Sequence, residues 1–244
     1  MSPWWAVATY VVTVFTAGGL VRLLDPAAAS DAPSLLWLAP ALAAGVTWLI
    51  GRRALAIMLP GPVSRRQLVA HTILGVGAAI VLLVLVAIGL AFVPHRDAPS
   101  AVVPILLAAV PLAVAFELGW RGVLQPLVES RIGRLWASVG VGVVWAAWRL
   151  EVDETSTLLG TIVTSIALSV LLGYLGNGSW WQRWITAGVV QAIVSVGLVL
   201  LAGVDHTGGA SLVVAGASVV TAAIWLVMFR VAQRRRAARA AAAA

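Results

Sequence analysis

The sequence predicts an all-α polytopic membrane protein, one bundle of about eight transmembrane helices, and three observations lead there. Of the 244 residues, 61% are hydrophobic and only 10% charged, against about 45–50% apolar and about 25% charged in a soluble domain. Mean hydropathy is +1.02. The apolar residues gather into eight runs, most close to the roughly 20 residues that cross a hydrocarbon core, with breaks rich in Pro, Gly, Asp and Arg between them. Such a chain carries more apolar surface than one globular core can hide.

The elements follow in order. The first run, Trp4–Leu24, is preceded by no basic segment of the kind that opens a cleavable signal, so it is expected to be a retained span. Asp25-Pro26 and Asp31-Ala32-Pro33 break the chain before a short second run, Leu35–Ile50. From Arg52 to Gln67, Arg52, Arg53, Arg65 and Arg66 are mixed with Leu55, Ile57, Met58 and Leu59, which suits either a segment on the membrane surface, its arginines near anionic headgroups, or a plain basic loop. The third run, Leu68–Val93, carries His71 and stops at Pro94 to Pro99. The fourth, Ala101–Val128, holds Glu117 and Arg121; the fifth, Leu135–Leu150, is short and ends on Arg149. Leu158–Leu175 leads into the turn cluster Gly176-Asn177-Gly178-Ser179, then Trp184–Leu201 with Gln191 and Ser195, then Ala210–Val231. Residues 1–233 form a single membrane domain without internal repeats, and 234–244 a basic, alanine-rich tail with Arg234, Arg235 and Arg236. Most of the twelve tryptophans fall near span ends, as an interfacial belt requires.

Composition excludes several chemistries. There is no cysteine, hence no thiol nucleophile, disulfide or thiolate metal site. All 16 basic residues are arginine, a bias that points to a high-GC bacterial genome. With eight spans, the arginines at 52, 53, 65, 66, 131, 134, 183, 234, 235, 236 and 239 share one side, while Asp25, Asp31, Asp97, Glu151, Asp153, Glu154 and Asp205 share the other. By the positive-inside rule both termini are expected in the cytoplasm of a bacterial inner membrane. The net charge of +7 is thereby assigned to anionic lipid headgroups, and no nucleic-acid partner is expected.

Ionisable groups inside a span are functional-site candidates by default, because each costs several kcal/mol in hydrocarbon. Glu117 and Arg121 stand four residues apart, acid first, the favourable order for an ion pair on one helix. Gln191 and Ser195 also share a helix face. They read as hydrogen-bonding glue between helices. His71 and His206 belong to no cluster, and Ser195 has no histidine at triad spacing.

Three stretches resemble the CPBP family of intramembrane peptidases, the CAAX-protease or bacteriocin-processing group, across roughly residues 100–200. Phe116-Glu117-Leu118-Gly119-Trp120-Arg121-Gly122-Val123-Leu124-Gln125-Pro126 is similar to the family's first motif, a glutamate pair followed by arginine and Gly-x-Leu-Gln-Pro. Trp145-Ala146-Ala147-Trp148-Arg149-Leu150 lies where the family has an aromatic residue and then a histidine. Gly178-Ser179-Trp180-Trp181 is similar to the Gly-Ser-Leu-Trp-like segment that precedes the family's third motif, and Gln191-Ala192-Ile193-Val194-Ser195 lies where that motif has a second histidine and, four residues on, Asn or Asp.

The resemblance implies a CPBP-like bundle whose catalytic positions are Phe116, Arg149, Gln191 and Ser195. Phenylalanine accepts no proton, arginine stays protonated, and glutamine does not titrate, so none can serve as general base. The expectation is an inactive relative: an accessory or scaffold subunit of another membrane protein, or a protein holding a hydrophobic peptide or lipid. No cofactor and no metal are expected. Glu117 and Arg121 then form a structural ion pair. Two alternatives stay open: a divergent CAAX-type endopeptidase using Glu117 as base, and a transporter component. Arg149 either reaches Glu117 across the bundle or snorkels to the interface beside Glu151, Asp153 and Glu154.

Overall fold

The computed structural model describes residues 3–25, 34–95, 102–149, 154–203 and 207–242. Within them every regular element is helical. Helix α1 spans Pro3–Leu24; a 3₁₀ turn at Leu35–Leu38 leads into α2, Ala39–Met58; α3 is Arg65–Leu90 and α4 Val102–Glu117. A π-helical stretch, Leu118–Leu124, joins α4 to α5, Gln125–Ile132. Then come α6, Arg134–Arg149, α7, Thr155–Leu175, α8, Trp180–Ala202, and α9, Gly208–Ala242. The breaks expected at Pro26, Asp31–Pro33 and 96–99 lie outside the described residues, as do His206, Asp97, Glu151, Asp153 and Asp205.

Seven of these rods are long and apolar enough to cross a membrane, α4 to α5 counting as one. The eighth expected span, α6, has 16 residues, a rise of about 24 Å where the hydrocarbon core is about 30 Å thick. Helices are the only open-ended choice in that solvent, since each backbone N–H and C=O must find its partner inside the segment. The outward faces are correspondingly apolar: Leu23, Leu24, Leu49, Phe92 and Leu107 are 73–87% exposed. Inside, small residues let the rods approach. A Cβ on Gly142 of α6 would stand 2.7 Å from the Ile166 backbone of α7, and one on Gly160 of α7 would run into Ser211 of α9.

Two boundaries differ from the sequence reading. The stretch from Arg52 is helix rather than loop as far as Met58: α2 kinks at Gly51 and continues, with Leu55 buried and Arg52 exposed. The kink falls at Gly51, a weak helix former whose φ of −126° and ψ of 21° leave the helical run. Arg65 and Arg66 open α3, whose first turn is capped reciprocally by Ser64 and Gln67. At the other end of the chain, α9 runs unbroken through Arg234, Arg235 and Arg236, so the expected tail extends the last helix.

The rods alternate in direction, which gathers the arginine-bearing ends together. Gln182 at the start of α8 accepts from the Val63 N–H at 2.8 Å and donates to the Val63 carbonyl at 2.8 Å, tying α8 to the α2–α3 joint. Glu129 binds Arg134 at 3.0 Å and Arg183 at 2.7 Å, and Arg134 donates to Asn177 at 2.6 Å. At the opposite end Arg22 of α1 donates to the Trp148 carbonyl at 3.0 Å, and Gly208 to Thr157 at 2.9 Å.

Candidate functional site

The rod from Val103 to Ile132 lies inside the bundle, touching α1, α2 and α8, and its middle is the most deeply buried stretch of the chain. Residues 119–128 are all buried. Here the helix widens. Gln125 N–H bonds to the Trp120 carbonyl, five residues back, in place of the usual four. The local sequence explains why: Pro126 has no N–H and its ring crowds the carbonyl four residues earlier, while Gly119 and Gly122 let the backbone yield. Gly119 itself lies against the backbone of Pro40 in α2, so close that a Cβ there would collide with the Pro40 carbonyl. Gly119→Ala is therefore expected to lose about 1–3 kcal/mol by overpacking, read as a lower unfolding midpoint in detergent.

Along this stretch run three polar side chains, Glu117, Arg121 and Gln125, at 0%, 2% and 1% exposure. Arg121 Nε is 3.2 Å from a Glu117 carboxylate oxygen. Its Nη1 donates to Gln125 Oε1 at 2.8 Å and to Ser169 Oγ of α7 at 3.0 Å. Gln125 then donates to Ser138 Oγ of α6 at 3.0 Å, and Ser169 donates to the Ser138 carbonyl. The guanidinium also lies 5.8 Å from the centre of the Trp145 ring. The outcome is a ladder of buried polar groups that joins the central rod to α6 and α7. Its Glu117 end is less complete: both carboxylate oxygens lack hydrogen-bond partners, as do the nearby Trp120 and Trp145 indole N–H groups and the Tyr10 hydroxyl. The contact to Arg121 is thus ionic without hydrogen-bond geometry.

Phe116 closes that end. It is 3% exposed and packs on Trp37, Trp120, Trp145 and Trp148 with ring centres 5.4–6.0 Å apart. Tyr10 extends the cluster through Trp120 at 5.8 Å, and Trp148 anchors it to α1 by donating to the Val14 carbonyl at 3.1 Å.

Arg149 is half-buried at the last turn of α6, and the cation on Glu117 is Arg121. Gln191 donates to Ser195 Oγ one turn along its own helix, at 3.1 Å. A catalytic metal would not fit this site: Phe116, Arg149 and Gln191 supply neither carboxylate nor imidazole, and among the described residues no three of His, Cys, Asp and Glu come together. The arrangement clamps the central rod to α6 and α7 through Arg121, Gln125, Ser138 and Ser169. Gln125 was legible in the sequence, one further turn along the Glu117–Arg121 face; Ser138, Ser169 and Tyr10 were not, since only the tertiary contacts select them from many similar residues. No protein-family model and no curated protein sequence matches this chain.

Proposed function

We propose that the protein is a CPBP-peptidase-like membrane bundle without peptidase activity, serving as an accessory or scaffold subunit of another membrane protein. One observation carries this reading. The position where the resemblance puts a catalytic glutamate is Phe116, and it is packed among four tryptophans. Rings that fill the place of a nucleophilic water also fill the space a peptide or lipid would need there, which favours a partner on the outer faces over a ligand in the old cleft. In this reading the arginine-rich end faces the cytoplasm of a bacterium.

The rival is a divergent peptidase that uses Glu117, and what favours it is the carboxylate without hydrogen-bond partners. Against it stand the complete burial of Glu117 and the Arg121 guanidinium 3.2 Å away, which takes up the place beside the carboxylate. Pure protein reconstituted with a prenylated peptide is expected to give no cleavage above that of empty vesicles, and extraction from native membranes to retain a stoichiometric membrane partner. Cleavage that Glu117→Ala abolishes would establish the rival.

A further inference from the structure

A second feature lies at the arginine-rich end, away from Glu117. A cleft of about 540 Å³ opens between α3, α9 and the α7–α8 turn, within the range of about 300–1,000 Å³ typical of small-ligand sites. Two facing stripes build its long walls: Gln67, His71 and Leu74 on α3, and Gln233, Phe229 and Trp225 on α9. Both follow helical spacing, so each presents one continuous face. Both also grade in the same direction, from amides at the arginine-rich end to apolar and aromatic side chains toward the middle of the bundle. The eight helical steps from Trp225 to Gln233 rise about 12 Å.

The polar half is positive. Arg134 lines it, held in place by Asn177 at 2.6 Å and Glu129 at 3.0 Å, with its guanidinium 5.7 Å from the centre of the Tyr174 ring. Glu129 is shared with Arg183 at 2.7 Å, leaving this trio with one net positive charge. None of the described lining residues is acidic. Exposed Arg65 and Arg66 precede Gln67 on α3, and exposed Arg230 and Arg234 flank Gln233 on α9. At the apolar end, the buried Trp225 indole N–H has no hydrogen-bond partner.

The geometry points to a site for one anionic phospholipid, its phosphate at Arg134 and Asn177, in the field of the exposed arginines that neighbour the lining residues in sequence, and the start of its acyl chains on Phe229, Leu74 and Trp225. A basic pocket between helices at one membrane face suits such headgroups, and the polar-to-apolar grading matches the build of an amphiphile better than that of a soluble anion. The inference does not depend on the accessory-subunit reading, since it uses none of the residues around Glu117.

The test uses the full chain, purified and delipidated in detergent, with lipid retention followed by native mass spectrometry and by thermal shift. Phosphatidylglycerol is expected to bind about tenfold more tightly than phosphatidylcholine, the contribution of one to two arginines. Ala70→Trp and Ala232→Trp each place an indole where an exposed alanine lines the cleft, and either is expected to reduce phosphatidylglycerol binding to the phosphatidylcholine level. Leu107→Trp, on the outward face of α4, is expected to leave it unchanged. Two substitutions on facing helices keep the test open should one of them fail to fold. Undiminished phosphatidylglycerol binding by both filled variants would overturn the proposal, as would equal binding of phosphatidylcholine. Saturation by inorganic phosphate alone would overturn it too, by making the ligand a soluble anion.

Discussion

Replacing Arg121 with methionine is expected to destabilise the bundle by about 3–5 kcal/mol, the cost of leaving a buried carboxylate without its cation. Glu117 is fully buried, and both of its oxygens lack hydrogen bonds, so the guanidinium 3.2 Å away is its principal compensation. The same substitution removes the donor to Gln125 Oε1, which is left without a partner in the core, and one of the two hydrogen bonds of Ser169. The double variant Glu117→Gln with Arg121→Met separates these effects. Buried pairs exchanged for neutral side chains of similar volume are often neutral or stabilising, so the double variant is expected to recover most of the loss. Denaturant titration of purified protein in detergent measures both. If Arg121→Met melts with the wild type, Glu117 is hydrated, and the clasp described above is not what holds the central rod.

The second large effect is expected at Phe116. Removing the ring in Phe116→Ala takes away its contacts to Trp37, Trp120, Trp145 and Trp148 and leaves a cavity in the middle of the bundle. Core Phe→Ala exchanges cost about 3–5 kcal/mol in water-soluble proteins. Here the lower end is expected. Phenylalanine and the lipid tails are both apolar, so the transfer term shrinks and the packing and cavity terms remain. Phe116→Glu is the sharper form of the experiment. It installs the residue that the proposed peptidase likeness puts at this position, yet it would put a second carboxylate against Glu117 among tryptophan rings. It is expected to lose more stability than alanine does and to give no hydrolysis. A folded Phe116→Glu protein that cleaves peptide would show that the aromatic cluster is easily displaced and that the site remains a latent enzyme.

Much of the architecture was readable from the chain, for local reasons. An apolar run of sufficient length has to be helical in a bilayer, because no water is present to satisfy its backbone. The Glu117–Arg121 pair was readable because four residues is one turn, whatever surrounds it. The boundaries that were misplaced lie at the membrane edge, where hydropathy falls before the helix ends: α3 starts at Arg65, and α2 passes Gly51 to reach Met58. The π-helical turn left only a faint mark, the two glycines ahead of Pro126.

What the sequence by itself determined is the solvent of this protein, its helices, their alternating direction and the buried ion pair. The tertiary structure decided which faces meet, and with that everything specific about the site. Tyr10, Ser138 and Ser169 were assembled around the central rod, Gln191 was bonded to Ser195 along its own helix, and Phe116 was enclosed in tryptophan. The reason is physical. In water, hydropathy separates the inside of a helix from its outside; in hydrocarbon both faces are apolar, and packing alone makes the distinction.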